Sequence, residues 1–368
     1  MLSITSLVLN NFKNYSNSSI KLCKQVNCFV GANGAGKTNI LDAIYYLSFT
    51  KSYFVPIDVN HIKHGEEYFT VKANLLHNSI NESIFISYQN GKKTLNVNNN
   101  EVKKLSTHIG TIPLVIISPN DIFLLYEGSD MRRKFLDGMI AQIDKQYLNA
   151  LIQYNRTIEQ RNKTLQQFAE QNRYDKILID SYDTQLISNG EYIFNTRKQF
   201  LAEFTPLFQR LYIEISQTNE TVSIEYQSDL HATDYSTLLN QQRQIDFINQ
   251  RTTKGIHKDD LLFKFNNYDI KKTGSQGQQK SFIIALKLAQ YFLLKQNMNK
   301  TPLLLLDDIF EKLDETRLKY LLQLITGNKF GQIFITDTHP ERVKHTFESL
   351  HNIELKFFSV TNGTINEL

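Results

Sequence analysis

The chain of 368 residues has little cysteine and no long apolar stretch. Cys23 and Cys28 are its only cysteines, and no second Cys or His pair lies nearby at zinc-binding spacing, which argues against a disulfide framework and a zinc site. The longest apolar runs, residues 112–117 and 303–306, are far shorter than the about 20 residues that cross a bilayer. We therefore expect a protein without a membrane segment.

We expect neither a signal peptide nor flexible linkers in this chain. Polar residues interrupt the apolar positions at the N-terminus, which favours a strand over a signal peptide and predicts a cytoplasmic protein. No internal repeat and no Pro- or Gly-rich linker is present, so we expect ordered connections between domains. The net charge of +4 is compatible with a polyanionic partner but does not establish one.

The spacing of apolar residues changes twice along the chain. Alternating positions such as Ile84 and Ile86 predict strands in the first part, and a spacing of three to four predicts long helices over residues 130–216. Strands and helices then alternate in the last part. This order predicts an α/β domain with an inserted α-helical arm. The expected segments are 1–128 for the first part of the α/β domain, 129–250 for the arm and 251–368 for its remainder.

A glycine-rich segment after the strand-like residues 26–30 fits the pattern G-x-x-x-x-G-K-[ST] and is followed by a helical pattern. Both flanks are those that a phosphate-binding P-loop requires. Its residues are Gly31, Ala32, Asn33, Gly34, Ala35, Gly36, Lys37 and Thr38. The glycines let backbone N–H groups face the phosphates of ATP, Lys37 reaches the β- and γ-phosphates, and Thr38 supplies a hydroxyl to Mg²⁺.

Four leucines at residues 303–306, followed by Asp307 and Asp308, predict a buried strand that ends in two carboxylates, as in a Walker B motif. Asp307 would then hold the Mg²⁺ shell and Asp308 would polarise the attacking water, so Lys37 and Asp308 are the expected catalytic residues. A core strand with a polar cap is the alternative, and it is common in α/β folds. The P-loop upstream favours the catalytic interpretation.

A Gly- and Gln-rich segment before the helical pattern of residues 282–294 has the sequence and place of an ABC signature loop. Its residues are Ser275, Gln276, Gly277 and Gln278. In ABC ATPases this loop meets the γ-phosphate bound by a second copy, because a helix N-terminus carries a partial positive charge. Residues 311–314 resemble the D-loop of that class, with Asp314 as its acidic residue. An ordinary helix entry with Ser275 as N-cap is the alternative for the signature segment.

Five strings resemble the RecF family of SMC- and Rad50-like ATPases. They are residues 11–15 (NFKNY), 132–137 (RRKFLD), 154–162 (YNRTIEQRN), 255–260 (GIHKDD) and 275–280 (SQGQQK). The resemblance covers nearly the whole chain and implies an ABC-type P-loop ATPase head, Rad50-like, with a compact helical arm in place of a coiled coil. It also implies ATP-dependent homodimerisation on DNA, action with RecO and RecR to load RecA at single-strand gaps, and a part in the SOS response.

The chain departs from the pattern of this family at a few positions. Lys13, Ile256 and Lys258 stand where Arg, Pro and Arg are commoner, which affects local geometry and not the assignment. Asp308 occupies the position at which most ABC ATPases have Glu, and we expect slow turnover that serves as a switch. His339 lies beyond the position of the γ-phosphate-sensing histidine of ABC proteins, so that role is not assigned.

Six basic residues are candidates for contact with DNA. They lie near the signature segment or in and beside the predicted arm, and they are Lys271, Lys272, Arg132, Arg133, Arg156 and Arg161. Phosphate contacts by such cations depend on salt. A solvated surface or an intramolecular ion pair explains any one of them more simply. Helix-turn-helix and aromatic RNP-like patterns are missing, so sequence-specific recognition is not expected, while single-stranded, duplex and gapped DNA stay open.

Three other functions compete with that of a DNA-repair ATPase. A transporter cassette shares the motifs, but the long separation between Lys37 and Asp307 argues against it. A scaffold in which ATP joins two heads on DNA without hydrolysis stays open. A nuclease needs an acidic metal cluster. His257, Asp259 and Asp260 resemble one, but their place before the signature segment favours a hydrogen-bonded turn.

Overall fold

A computed structural model describes residues 2–309, 315–326, 329–341 and 353–368. Its first part is rich in strands, long helices follow, and both alternate in the last part, as the spacing of apolar residues predicts. The strands, in chain order, are β1 (Leu2–Phe12), β2 (Tyr15–Lys21), β3 (Val26–Val30), β4 (Tyr68–His77), β5 (Ile80–Gln89), β6 (Lys92–Val97), β7 (Asn100–Glu101), β8 (Leu114–Ile117), β9 (Val222–Gln227), β10 (Asp260–Phe265), β11 (Tyr268–Asp269), β12 (Leu303–Asp307), β13 (Ile333–Asp337), β14 (Leu355–Thr361) and β15 (Thr364–Glu367).

Helices lie between these strands along the chain. In chain order they are α1 (Lys37–Phe49), α2 (Phe123–Tyr126), α3 (Ser129–Ile143), α4 (Lys145–Glu170), α5 (Lys176–Ser216), α6 (Tyr235–Asn249), α7 (Ile270–Thr273), α8 (Gln276–Asn297) and α9 (Glu315–Thr326). Aspartate side chains accept hydrogen bonds from the first N–H groups of α4, α5, α6 and α7, which is the preferred way to cap a helix. None of the helices in the described ranges combines the length and apolar character that a bilayer crossing requires.

The first compact unit comprises Met1–Asp121, Glu214–Ser216 and Ile283–Leu368. It holds an antiparallel sheet of order β2-β1-β4-β5-β6-β7 and a second sheet of order β15-β14-β3-β13-β12-β8. The second sheet is parallel except for β15, and every residue of β3, β12 and β13 is buried, as expected for a parallel sheet. One apolar core joins both sheets to α1. The carboxyl ends of β3, β12 and β13 therefore meet at one edge.

The second compact unit comprises Ile122–Ile213 and Gln217–Phe282. It contains the long helices and a small antiparallel sheet of order β11-β10-β9. Since β10 pairs with β9, residues 251–282 belong with the helices and not with the first unit. This corrects the predicted boundary at residues 250 and 251, because strand pairing over a long sequence separation cannot be read from local spacing.

Arg161 on α4 is fully buried in the second unit. Its Nε lies 2.9 Å from Oδ1 of Asp183, and its Nη1 lies 2.7 Å from Oδ2 of Asp246. Nη1 also donates to the hydroxyl of Thr252 at 2.9 Å. A buried guanidinium needs such partners to offset the loss of water. The prediction that Arg161 contacts DNA is therefore wrong, since its charge is used inside the protein.

The string at residues 255–260 forms a hydrogen-bonded turn. Nδ1 of His257 lies 2.9 Å from the hydroxyl of Tyr154, and its other ring nitrogen lies 3.1 Å from a backbone carbonyl oxygen. Asp259 forms an ion pair with Nη1 of Arg197 at 3.0 Å. No group of three or more His, Cys, Asp or Glu side chains within the described ranges is arranged to hold a metal. These contacts support the structural interpretation of the string.

We expect Arg161→Ala to lower the free energy of unfolding by about 3–5 kcal/mol, because it leaves the buried carboxylate of Asp246 without its cation and Asp183 with Arg243 alone. Arg156→Ala is the matched control: the same helix carries this exposed arginine, and its loss should change stability by less than about 0.5 kcal/mol. Urea denaturation followed by circular dichroism measures both values. Similar effects of the two substitutions would contradict the buried network.

His257 makes the stability of the protein depend on pH. Burial lowers the pKa of His257 from 6.5 to about 4, so between these values the unfolded chain takes up a proton that the folded chain excludes. The free energy of unfolding should therefore fall as the pH drops from 6.5 to about 4, with a slope of about 1.4 kcal/mol per pH unit for this one group. Urea denaturation across this range should give a smaller slope for His257→Gln than for the unchanged chain.

Candidate nucleotide-binding site

The loop between β3 and α1 has a backbone that requires glycine. A Cβ on Gly31 would lie 2.2 Å from the carbonyl oxygen of Val360, and Gly36 has a φ of 110°, in the left-handed region. Gly36 is also the N-cap of α1. Because Gly36 has no side chain, it leaves the first N–H groups of α1 without the side-chain cap that begins α4 to α7. Uncapped N–H groups at a helix N-terminus suit the phosphates of a nucleotide.

The turn between β1 and β2 holds this loop in place. Nδ2 of Asn14 donates to the carbonyl oxygen of Ala35 at 3.0 Å, and Oδ1 of Asn14 accepts from Nδ2 of Asn39 at 2.8 Å. The hydroxyl of Tyr15 donates to the carbonyl oxygen of Gly36 at 2.9 Å. Asn14 and Tyr15 belong to the first string of the family resemblance, which alone indicated no role for them. Here they shape the P-loop.

Lys37 is the first residue of α1, and its side chain folds back across the loop. Its Nζ donates to the carbonyl oxygens of Gly31 at 3.0 Å and Ala32 at 3.1 Å. The residue is only 4% exposed, so the ammonium group relies on these carbonyl oxygens and not on water. Hydrogen bonds between two charged groups are stronger than those to neutral carbonyls. The position of Lys37 therefore fits the binding of an anionic phosphate.

Two hydroxyls and a carboxylate meet at the shared edge of the parallel sheet. Oδ1 of Asp307 accepts hydrogen bonds from Oγ1 of Thr38 at 2.8 Å and from Oγ1 of Thr336 at 2.9 Å. Burial raises the pKa of Asp307, and these two hydrogen bonds oppose that effect. Hydroxyl and carboxylate oxygens suit Mg²⁺, so Thr38 and Asp307 fit the predicted metal position. Thr336 was not predicted as a residue of this site. The sequence signal that could have indicated it is its position near the end of β13.

Asp308 follows β12 in a turned backbone conformation. Its φ is 46°, in the left-handed region, which Asp tolerates better than most residues. Its backbone N–H donates to Oγ1 of Thr336 at 2.9 Å, and its charge adds to the rise in the pKa of Asp307. The second carboxylate of the Walker B motif therefore follows directly on the first, at the edge where the P-loop begins.

A cavity of about 240 Å³ adjoins the P-loop beside β14. Its lining combines the loop backbone with small polar side chains from the end of β14. The lining residues are Val30, Gly31, Ala32, Asn33, Ala35, Pro340, Ser359, Val360, Thr361, Asn362 and Leu368. A concave surface next to the phosphate loop is suited to another part of the same nucleotide.

Two further features follow the predicted Walker B strand in the sequence, His339 and a D-loop. His339 lies two positions after the end of β13, and its side chain is 65% exposed. Its backbone N–H donates to Oδ1 of Asp337 at 2.7 Å, and its Nδ1 lies 2.8 Å from the hydroxyl of Thr338. These contacts are local and assign no phosphate-sensing role. Asp314 and the rest of the predicted D-loop lie outside the described residues.

The predicted signature residues begin α8 in the second unit. Oγ of Ser275 accepts from the backbone N–H of Gln278 at 3.3 Å, so Ser275 is the N-cap that the alternative interpretation expects. Ser275 and Gln276 are exposed, whereas Gly277 and Gln278 are partly buried. The cap does not exclude a signature role, because the exposed start of a helix still presents its positive end to an anion.

The other basic candidates divide into paired and exposed residues. Arg132 makes two hydrogen bonds to the carboxylate of Asp260, at 2.7 and 2.9 Å. Arg133 donates to the backbone carbonyl oxygen of Asp259 at 2.6 Å. Both arginines are partly buried, which favours an intramolecular role for them. Arg156, Lys271 and Lys272 are exposed, and Nζ of Lys271 also donates to the backbone carbonyl oxygen of Tyr126 at 2.9 Å.

Known proteins resemble this chain along its whole length. Residues 3–111 match the family described as the RecF/RecN/SMC N terminal domain. A protein of Flavobacterium johnsoniae named DNA replication and repair protein RecF is 48% identical over 95% of this chain and 97% of its own length.

Two solved structures also match. One of the recombination mediator protein RecF with ATP, in the RecFOR pathway, has a TM-score of 0.90 at 30% identity and covers 100% of this chain and 98% of the other. The Smc head domain from Pyrococcus furiosus has a TM-score of 0.57 at 16% identity over 100% of this chain and 96% of the other, which shows likeness of fold alone. The predicted fold class, a Rad50-like ABC ATPase head with a helical arm, is confirmed.

We expect Asn14→Ala to weaken ATP binding by about tenfold, because it removes one hydrogen bond to the P-loop and one to Asn39 on α1, each worth about 1 kcal/mol or less. Asn10→Ala is the matched control, since Asn10 lies on β1 and donates to the hydroxyl of Thr70. Isothermal titration calorimetry with ATP measures both affinities. Equal affinities for the two variants would show that the turn does not shape the loop.

Proposed function

The chain belongs to the RecF family of DNA replication and repair proteins, and from this membership we propose that it binds Mg²⁺ and ATP and hydrolyses the ATP slowly. The observation that carries the proposal is the contact between Thr38 of the P-loop and Asp307 of the Walker B strand, 2.8 Å apart. This contact brings together the two ligands that an ATP-bound Mg²⁺ ion needs. A glycine-rich loop without a role in nucleotide binding would not require this contact.

Each residue of the site has a chemical role in this proposal. The N–H groups of residues 31–38 bind the phosphates, and the ammonium of Lys37 neutralises charge on the β- and γ-phosphates. Thr38 and Asp307 hold Mg²⁺, which when bound polarises the phosphoryl oxygens. Asp308 accepts a hydrogen bond from the attacking water and orients it for in-line attack. Its carboxylate is one methylene shorter than glutamate, which supports turnover well below the about 10 s⁻¹ typical of enzymes.

A second copy of the chain completes the site. Ser275 to Gln278 at the start of α8 meet the γ-phosphate bound by the other copy, where the positive end of the helix stabilises its negative charge. Exposure of Ser275 and Gln276 supports this arrangement, since a buried signature turn could not meet another chain.

The ATP-bound dimer holds DNA and directs repair. Arg156, Lys271 and Lys272 supply cations for phosphate contacts that weaken with salt, and stacking or base-reading motifs are not needed for binding at gaps. With RecO and RecR the protein helps to load RecA at single-strand gaps, and it supports replication restart and the SOS response. Its place of action is the cytoplasm, where this DNA lies. The naming of a similar structure as part of the RecFOR pathway supports these partners.

Sedimentation velocity and binding to gapped, single-stranded and duplex DNA, each with and without ATP, test the proposal. We expect ATP to drive dimerisation and retention on DNA, with both effects lost in Lys37→Met and in Ser275→Arg. The first substitution removes phosphate binding, and the second places a bulky cation at the dimer contact. DNA binding that ignores ATP would overturn the proposal.

Phosphate release separates hydrolysis from a purely structural use of ATP. Asp308→Asn should keep ATP-dependent dimerisation and lose phosphate release, because the amide positions water poorly and cannot take its proton. Phosphate release that continues unchanged would remove Asp308 from its role. Dimerisation with no phosphate release by the unchanged chain would favour the scaffold, in which ATP only joins the two heads.

A further inference from the structure

The side chain of Gln278 makes a hydrogen bond at each end. Its Oε1 accepts from the backbone N–H of Ser275 at 2.8 Å, and its Nε2 donates to Oε1 of Glu220 at 2.6 Å. An ionised carboxylate only accepts hydrogen bonds, so Glu220 requires the NH₂ end of the amide to face it. The carbonyl end of Gln278 is thereby directed to the N–H of Ser275.

Glu220 is itself held in position. Its Oε2 accepts from the hydroxyl of Tyr212 at 3.0 Å and from Oγ1 of Thr218 at 2.9 Å. Both carboxylate oxygens therefore have donors, and bonds to a charged acceptor are stronger than those to a neutral one. Glu220 lies just before β9, 58 positions before Gln278 in the sequence. Through its hydrogen bond to Gln278 it determines how the signature turn is capped.

The other side of the turn is held by Gln279, which is 5% exposed. Its Nε2 donates to the carbonyl oxygen of Gly274 at 3.1 Å, and its Oε1 accepts from the hydroxyl of Tyr126 at 2.7 Å. Gln278 and Gln279 therefore link the turn to two different segments, through Glu220 and Tyr126. Ser275 stays exposed between them, and its hydroxyl oxygen accepts from the backbone N–H of Gln278.

We propose that Glu220 is a positioning residue for the ATP site of the second copy, acting through Gln278 and Ser275. The inference rests on the proposed function, because the signature turn meets a nucleotide that another chain binds. Glu220 does not touch that nucleotide. Its removal should slow turnover in the partner's site and leave ATP affinity at the P-loop of its own chain unchanged.

Glu220→Ala should lower kcat by about tenfold, the effect of losing one hydrogen bond to a charged group, with ATP binding to the P-loop unchanged by calorimetry. Glu220→Gln keeps an acceptor for Gln278 and should stay close to the rate of the unchanged chain. Glu225→Ala on β9 is the matched control, since Glu225 is exposed and pairs with Lys264. Its rate should not change.

Mixed dimers show in which site Glu220 acts. In a dimer of Glu220→Ala with Lys37→Met, one site carries both defects and the other carries neither. Neither variant alone can form a dimer with an intact site, whereas a mixed dimer has one, and the ATP bound there can join the two chains. An equal mixture should therefore turn over ATP faster than either variant alone. An effect of Glu220 on its own nucleotide would give no recovery, and so would a general loss of folding.

A mixture of Ser275→Arg with Lys37→Met separates the two hypotheses. Recovery with Ser275→Arg but not with Glu220→Ala would overturn the role of Glu220 and leave the composite site standing. No recovery in either mixture would refute the composite site itself, and the proposed function with it. An unchanged rate for Glu220→Ala alone would also overturn the inference.

Discussion

A buried carboxylate must be stabilised by donors or by a cation, and Asp307 meets this requirement at the edge of the parallel sheet. Thr38 and Thr336 donate to the same oxygen of Asp307, which ties the start of α1 and the end of β13 to the end of β12. The parallel strands make this possible, because their carboxyl ends lie side by side. The same contacts that stabilise the anion leave hydroxyl and carboxylate oxygens gathered where a magnesium ion fits.

The glycine-rich loop before α1 depends on hydrogen bonds from other segments, because its glycines make the loop costly to order. Gly31 and Gly36 permit a backbone that larger residues could not adopt, and such a loop loses much conformational entropy on folding. Asn14 and Tyr15 offset part of this cost by bonding to loop carbonyl oxygens. The antiparallel sheet that contains β1 and β2 therefore has a direct part in shaping the glycine-rich loop.

In the second unit, some charged side chains form buried ion pairs and others lie exposed on the surface. Arg161 and Arg197 are buried against carboxylates, while Arg156 lies exposed on the same helix as Arg161. The signature turn uses charge in a third way, because Glu220 orients an amide that caps the helix. The same residue types thus stabilise the fold, cover its surface or position a functional turn, according to what surrounds them.

Local sequence was enough to predict the glycine-rich turn between β3 and α1, the buried strand that ends at Asp307, the long helices and the order of the elements. Each has a short-range signature: glycine spacing, a run of leucines before acids, or a helical period. It also predicted Thr38 and Asp307 for one metal position, and in the structure their side chains are in contact. It could not locate the boundary near residue 282 or the hydrogen bonds of Thr336, Asn14 and Glu220. It also could not reveal that Arg161 is buried. Those features depend on which distant segments pack together, and burial and partner geometry are set by tertiary contacts that residue spacing does not encode.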